Sequence, residues 1–213
     1  MKKTARGTSH RHLLLLLGLL LCFANAQATT VVSLDVDTLA SEAELIFEGE
    51  VIAHKVQRDL GSGLIYTYVS FSVLDVLKGD LSGTVLELRF TGGSYGGRIV
   101  EISGLTIPEL GEQGIYFVES LSRPLLNPLL GWSQGQFLII GKGRERRVYS
   151  AANEPILDIR PVAGVPTSLR RPRAYLQGSG DSATGVVTEK NPVGTTTPLS
   201  VEEFKSRVLD LLN

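Results

Sequence analysis

The chain is poor in the side chains that most often make and break bonds. Its 213 residues include one cysteine, one methionine, one tryptophan and three histidines. The first 28 residues hold Met1, His10, His12 and Cys22, so residues 29–213 carry no thiol, and His54 is their one imidazole. Disulfides, thiolate zinc sites, cysteine nucleophiles and histidine-cluster metal centres are excluded for that stretch. A surplus of positive charge is lacking too. Four of the 21 Lys and Arg residues (Lys2, Lys3, Arg6, Arg11) lie in the first 28 positions, and none of the 22 Asp and Glu residues does. Seventeen cations then face 22 acids in the remainder. That balance argues against nucleic acid as the main partner, because binding by counterion release needs a basic face. No Walker A, dinucleotide fingerprint, H-E-x-x-H, S-x-x-K or Asn-x-Ser/Thr sequence occurs, and no internal repeat is present.

Long apolar runs are also scarce. The longest is Leu13–Ala24, twelve residues flanked by a basic start and by Ala24-Asn25-Ala26 and Ala26-Gln27-Ala28. As a helix it spans about 18 Å, short of a hydrocarbon core of roughly 30 Å. A charged segment, a short apolar segment and an Ala-x-Ala site are the parts of a Sec signal peptide. Residues 1–28 are therefore expected to be a signal peptide cut after Ala26 or Ala28. The protein would reach the bacterial periplasm or the exterior, with no membrane span after cleavage. Leu21 before Cys22 departs from a lipoprotein signal.

What is present after that is mostly strand-like. Ser33–Ala43 has a helical stripe of Leu39, Ala40 and Ala43, with Asp37 as the expected N-cap. Leu45–Gln57 reads as a long strand with Phe47, Gly49, Val51 and Ala53 on one face, Glu48, Glu50 and Ile52 on the other, and His54 on the glutamate side. Residues 58–63 form a turn. Leu64–Leu77 is the strongest strand, with Val69, Phe71 and Val73 inward. Thr84–Phe90 alternates Leu86, Leu88 and Phe90 inward with Glu87 and Arg89 outward. Further strands are expected at Arg98–Ser103 and Gly114–Ser120, and a closing hairpin at Trp132–Ile140 and Arg146–Ser150. Arg160–Thr197, with four prolines, reads as a flexible linker or partly ordered wrap. Its Arg170-Arg171-Pro172-Arg173 cluster reads as solvated charge. Ser200–Asn213 reads as an amphipathic helix with a Ser200/Glu203 capping box and Val201, Phe204, Val208 and Leu211 on one face; Lys205 falls near solvent. A helix this short is marginal alone, so it is expected to dock on the protein's own strands.

Four groups of residues are candidate sites. Gly92-Gly93-Ser94-Tyr95-Gly96 matches G-x-S-x-G, which in a hydrolase needs a strand before it and a helix after it. Only His54 could serve Ser94 as general base, and a triad also needs an orienting acid; the favoured reading is a turn whose glycines supply positive φ. His54 with Glu48 or Glu50 is a weak metal set, and an exposed strand-end residue is favoured. Asp35, Asp37, Glu42, Glu44, Glu48 and Glu50 offer hard oxygens, but the calcium-loop pattern is incomplete, and capping plus a solvated face explains them. Tyr66, Tyr68, Tyr95 and Trp132 are the candidate ligand-binding residues: with Val69 and Phe71 inside, Tyr66 and Tyr68 share the outer face, where stacking can hold a polymeric ligand.

The run Ala43–Val51, the stretch from Tyr66-Thr67-Tyr68 through Val76-Leu77-Lys78-Gly79, and Gly111-Glu112 before Ile115–Val118 together resemble a group of exported bacterial proteins of unknown function. Their order also resembles the netrin-like OB barrel of the tissue inhibitors of metalloproteinases, over residues 43–120. Those inhibitors chelate the protease zinc through an N-terminal cysteine; residues 29–213 have none, so that mode does not carry over.

The expectation is an all-β fold: a small OB-like (netrin-like) β-barrel of about five to eight strands with a short N-terminal helix and a C-terminal amphipathic helix. Residues 29–158 would be the barrel, 159–198 the Pro/Gly-rich linker or wrap and 199–213 the helix. The expected function is a non-enzymatic binding or accessory module without cofactor or metal, whose partner is another envelope or extracellular protein or a polymeric ligand. An envelope serine hydrolase using Ser94 and His54, and a protease inhibitor inserting the Gly92–Gly97 or Leu121–Gly131 loop, are the alternatives.

Overall fold

The computed structural model describes residues 30–162, 175–177, 182–189 and 197–213. The expected signal peptide and the Arg170–Arg173 cluster lie outside the described residues. In chain order the elements are β1 (Thr30–Val32), α1 (Val36–Glu42), β2 (Leu45–Arg58), β3 (Ile65–Lys78), β4 (Val85–Thr91), β5 (Gly93–Tyr95), β6 (Arg98–Val100), β7 (Gln113–Val118), β8 (Gln136–Ile140), β9 (Arg147–Ser150), β10 (Ile156–Ile159), β11 (Tyr175–Gln177), β12 (Val186–Thr188) and α2 (Val201–Leu212). The mostly-β expectation holds. Six strands form one antiparallel sheet in the order β4-β3-β2-β7-β8-β9. The pairs β1–β11, β5–β6 and β10–β12 are separate two-stranded ladders.

β2 and β3 form the long central hairpin, and β-branched and aromatic residues make up most of β3. Asp59 sets their turn, its Oδ1 accepting from the Ser62 amide at 2.6 Å and the Ser62 hydroxyl at 2.7 Å. These bonds hold the Asp59 carboxyl below its usual range. The hairpin is bulged in three places, between Ile46 and Phe47, Glu48 and Gly49, and Val51 and Ala53. Bulges bend a sheet and increase its twist.

The sheet buries both faces at its middle. On one face Phe47, Phe71 and Tyr116 meet edge-on or tilted, with centroids 4.8–5.4 Å apart, among Val51, Val69, Leu88 and Phe90. On the other side Ile46, Ile115, Phe117 and Phe137 pack under α1 and α2. β7 is therefore buried on consecutive residues from Gly114 to Val118, not on alternate ones. Gly49 and Gly114 are required here: a Cβ on either would press into the rings of Phe47 or Tyr116 at 2.8 Å.

β4 and β9 are the sheet's edges, and no ladder joins them among the described residues. Closure is limited to the chain between β7 and β8. Glu119 and Leu130 amides donate to Pro128 and Phe117 carbonyls on the β7 side, while the Thr91 amide of β4 donates to the Leu126 carbonyl at 2.9 Å.

The N-cap of α1 stands two residues before the expected one. Asp35, not Asp37, is the N-cap, with its carboxylate accepting from the Thr38 amide at 2.7 Å. Val36 thereby joins the helix and is buried. At the other end Lys78 Nζ donates to the Ala40 and Ser41 carbonyls at 2.8 and 2.7 Å, satisfying two orphan acceptors of α1. Gly79 follows with φ +87, and a Cβ there would collide with the Glu44 carbonyl. The Lys-Gly pair that carried part of the resemblance is thus a packing device between strand and helix.

α2 carries the expected capping box, and Val201, Phe204 and Val208 are buried against the sheet. Lys205 corrects the sequence reading: it is 8% exposed and ion-paired with Glu48, itself 2% exposed. Asp75 at 2.9 Å and Arg146, 2.8 Å from Glu48, complete the cluster. Within the expected linker, Ala183 is in the core and β12 pairs with β10, so residues 182–189 belong to the folded body.

Candidate functional site

The alternation of β3 fixes one solvent-facing surface. Val69 and Phe71 are buried, as expected, which turns Tyr66 and Tyr68 to the opposite face, half-buried. No helix of the described residues packs there. Cross-strand neighbours follow from the register: Lys55, Tyr68 and Arg89 form one row, and Gln57, Tyr66 and Thr91 the next. The Arg89 guanidinium lies 4.4 Å from the Tyr66 ring centroid, a cation–π arrangement. One face of Tyr66 is thereby occupied, while Tyr68 lines a cavity.

That cavity, of about 240 Å³, lies between β3–β4 and the segment that follows β7. Tyr68, Glu87 and Arg89 form one wall; Ser120, Ser122 and Arg123 form much of the other. The second wall is braced. Ser120 Oγ accepts from the Ser122 and Arg123 amides at 3.4 Å each, and the Leu121 amide donates to Glu44 Oε2 at 3.1 Å. Asn127 Oδ1 accepts from the Leu129 amide at 2.9 Å. Arg123 pairs with Glu119 at 2.9 Å on the surface.

The four aromatic candidates do not gather. Tyr95 is on the β5–β6 hairpin, which packs on β2 and β3 through Gly93, Val56 and Thr67. Trp132 stands in the 3-10 turn before β8, with φ +60. β8 is three places from β3 in the sheet, about 14 Å at the usual strand spacing.

Ser94 is exposed on β5 and pairs with Ile99 of β6. A second strand follows it where a nucleophile elbow has a helix. The expected turn is confined to Gly96-Gly97, since Gly93-Ser94-Tyr95 is strand; Gly92, Gly93, Gly96 and Gly97 all have positive φ. A groove of about 790 Å³ beneath this hairpin is lined by Thr91, Ser94, Ile99, Leu105 and Ile107 among others.

His54 lies on the opposite face from the one expected. The bulge between Val51 and Ala53 shifts the alternation, so His54 pairs across from Val69, on the side of Val51 and Phe71, away from Glu48 and Glu50. Its Nε2 donates to the Pro108 carbonyl at 2.8 Å, tying β2 to the loop before β7. No three His, Asp or Glu side chains converge as a metal site among the described residues. The carboxylates are engaged in the fold: Asp35 caps α1, Glu50 accepts from Gln113 at 2.9 Å, and Glu48 holds Lys205 and Arg146.

A polar cluster at the start of β7 escaped the sequence reading. Glu112 Oε1 accepts from the Tyr116 hydroxyl and from Gln136 Nε2, both at 2.9 Å. Burial first, then the Glu112 charge, pushes the Tyr116 phenol well above its ordinary range. The Gly-Glu turn before an apolar strand was visible in sequence, but its target, the hydroxyl four residues on, was not. Arg89 and Arg123 were missed as well; nothing in their local pattern distinguishes them from other surface arginines.

No helix of the described residues is long and apolar enough to cross a membrane. Comparison with known proteins found no family model, no curated protein and no solved structure that matches the chain.

Proposed function

We propose that this chain is an exported, non-enzymatic binding or accessory module acting in the periplasm or outside the cell, and that the outer face of β3–β4 is its binding surface. The observation that carries the reading is the cavity beside Tyr68, walled by Glu87 and Arg89 on the sheet and by the braced Ser120–Leu125 segment opposite. Aromatic, cationic and anionic groups on one rigid wall suit a ligand recognised by stacking and directional hydrogen bonds. The sheet order supports an OB-like scaffold. Read as strands three, two, one, four and five, β4-β3-β2-β7-β8 has the neighbour order of an OB barrel left open at its seam, and the β3–β4 face with the β7–β8 connection is where that fold takes oligomeric ligands. Export rests on the sequence of residues 1–28.

The test is capture from periplasmic extract by the processed chain, with a Tyr66→Ala/Tyr68→Ala double variant alongside. A partner or polymer retained by the native chain and lost from the variant supports the reading; equal retention overturns it. Inhibition of a protease by loop insertion is the second reading, favoured by Leu121 and Leu126, 41% and 53% exposed on the braced connection. Its test is titration of envelope proteases with the native chain and a Leu121→Asp/Leu126→Asp variant.

A further inference from the structure

We infer that the seam between β4 and the Ser120–Leu125 segment accepts an extended peptide, which adds to β4 as a further strand. The inference rests on the β3–β4 reading above and narrows its ligand to a polypeptide backbone.

The hydrogen-bond parity of β4 carries it. Thr84 accepts from the Val73 amide, and the Gly92 amide donates to Ile65, so the even-numbered positions of this segment bond inward to β3. The odd positions point their amides and carbonyls away. Thr91 is odd, and its amide donates to Leu126 across the seam. One rung of an additional ladder therefore already exists. It is not continued: the Leu125 amide turns back to the Arg123 carbonyl at 3.0 Å, and Glu87 and Arg89 have no backbone partner among the described residues. The cavity of about 240 Å³ lies along those two positions. Two successive outward positions of a strand are about 6.8 Å apart, the spacing at which an added strand makes its own bonds.

The side chains define the peptide. Glu87 and Arg89 project on the outer face beside Tyr68, with Leu88 between them facing the core. Glu87 has no ion-pair partner among the described residues. A strand laid along this edge meets an anion, an inward apolar position and a cation in turn. Its complement has a base opposite Glu87 and an acid opposite Arg89, flanking one small apolar residue: acid-apolar-base if antiparallel, base-apolar-acid if parallel. The opposing explanation is that Glu87 and Arg89 merely blunt an exposed edge.

The experiment uses the processed full chain and two acetylated, amidated hexapeptides, Thr-Glu-Val-Lys-Val-Thr and Thr-Lys-Val-Glu-Val-Thr. Amide hydrogen exchange is followed by NMR during titration. One peptide is expected to slow exchange at Glu87 and Arg89 about tenfold, with Leu88 and Phe90, already bonded to β3, unchanged. N-methylation of alternate peptide amides then separates backbone pairing from side-chain contact: methylating the set facing β4 weakens binding about tenfold, roughly one lost hydrogen bond, and methylating the other set changes it less than about twofold. Equal effects of the two sets overturn the inference, as does no binding of either peptide at about 10 mM. Protection of Glu87 and Arg89 that rises with protein concentration alone also overturns it, because a second copy then fills the edge. A flat methylation pattern with capture still lost in Tyr66→Ala/Tyr68→Ala leaves the binding face standing and removes strand addition alone.

Discussion

Replacing Lys205 by methionine tests how α2 is held. The substitution keeps the length and apolar stem of the side chain and removes the ammonium. Glu48, 2% exposed, then keeps Arg146 at 2.8 Å as its remaining cation. Removing one partner of a fully buried pair costs about 3–5 kcal/mol. Arg146 persists and its side chain is 25% exposed, so about 2–3 kcal/mol is expected. With a urea slope of about 2–3 kcal/mol/M for a chain this size, the midpoint falls by about 1 M. Trp132, the sole tryptophan, stands beside β8 and supplies the fluorescence signal. A Glu48→Leu/Lys205→Met double variant recovers at least half of the loss, because no stranded carboxylate remains. A pH arm adds a sign. Burial disfavours the Lys205 ammonium, but hydrogen bonds and charge from Glu48 and Asp75 outweigh it and raise its pKa. A raised lysine contributes stability that is complete below the unfolded value of about 10.4 and is lost as pH climbs through the folded value. The native chain should therefore lose more stability above about pH 10.4 than Lys205→Met does. A single-variant loss below about 0.5 kcal/mol, or a double variant no better than the single, refutes the reasoning.

Gly79→Ala should cost more than about 2 kcal/mol in thermal or urea unfolding, since φ +87 and the Glu44 carbonyl both oppose a Cβ. Gly83→Ala, at φ +103 with open space around it, should cost only the backbone strain of about 1 kcal/mol. Phe204→Ala removes a fully buried ring against Phe137 and should cost about 3–5 kcal/mol by urea midpoint. Ser200→Ala breaks the capping box of α2 and should cost about 1 kcal/mol. Hydrogen bonds from Ser200 hold the Glu203 carboxyl below its usual range, so the Ser200 contribution present near neutrality should fade as pH falls through the carboxylate range, and a urea series from pH 7 to 3 checks it.

Strand identity and facing were legible wherever alternation ran unbroken. Leu86, Leu88 and Phe90 are inward and Glu87 outward, as a period of two dictates. Reading failed where one residue interrupts that period. The bulge after Val51 moved His54 across the sheet, and no residue in Ile52-Ala53 announces it. Lys205 was placed outside because helical spacing puts it beside the apolar stripe; its burial depends on Glu48, which is 157 positions away and invisible to any local pattern. Asp35 and Asp37 are both chemically fit to cap α1. The choice fell to Asp35 because starting the helix there buries Val36. The candidate site was half legible. Tyr66 and Tyr68 came from alternation, but the opposing wall lies in an irregular connection whose course is set by Ser120 and Asn127 bonding to nearby amides.

The central sheet is shielded on two sides near β7 and on one side near β4. Apolar burial resists local opening, so the two halves should differ in stiffness. The helix-covered half acts as a fixed mount; of the sheet's two halves, the β4 margin should open first. A visitor arriving at that margin disturbs few existing contacts, and the mount keeps its shape throughout.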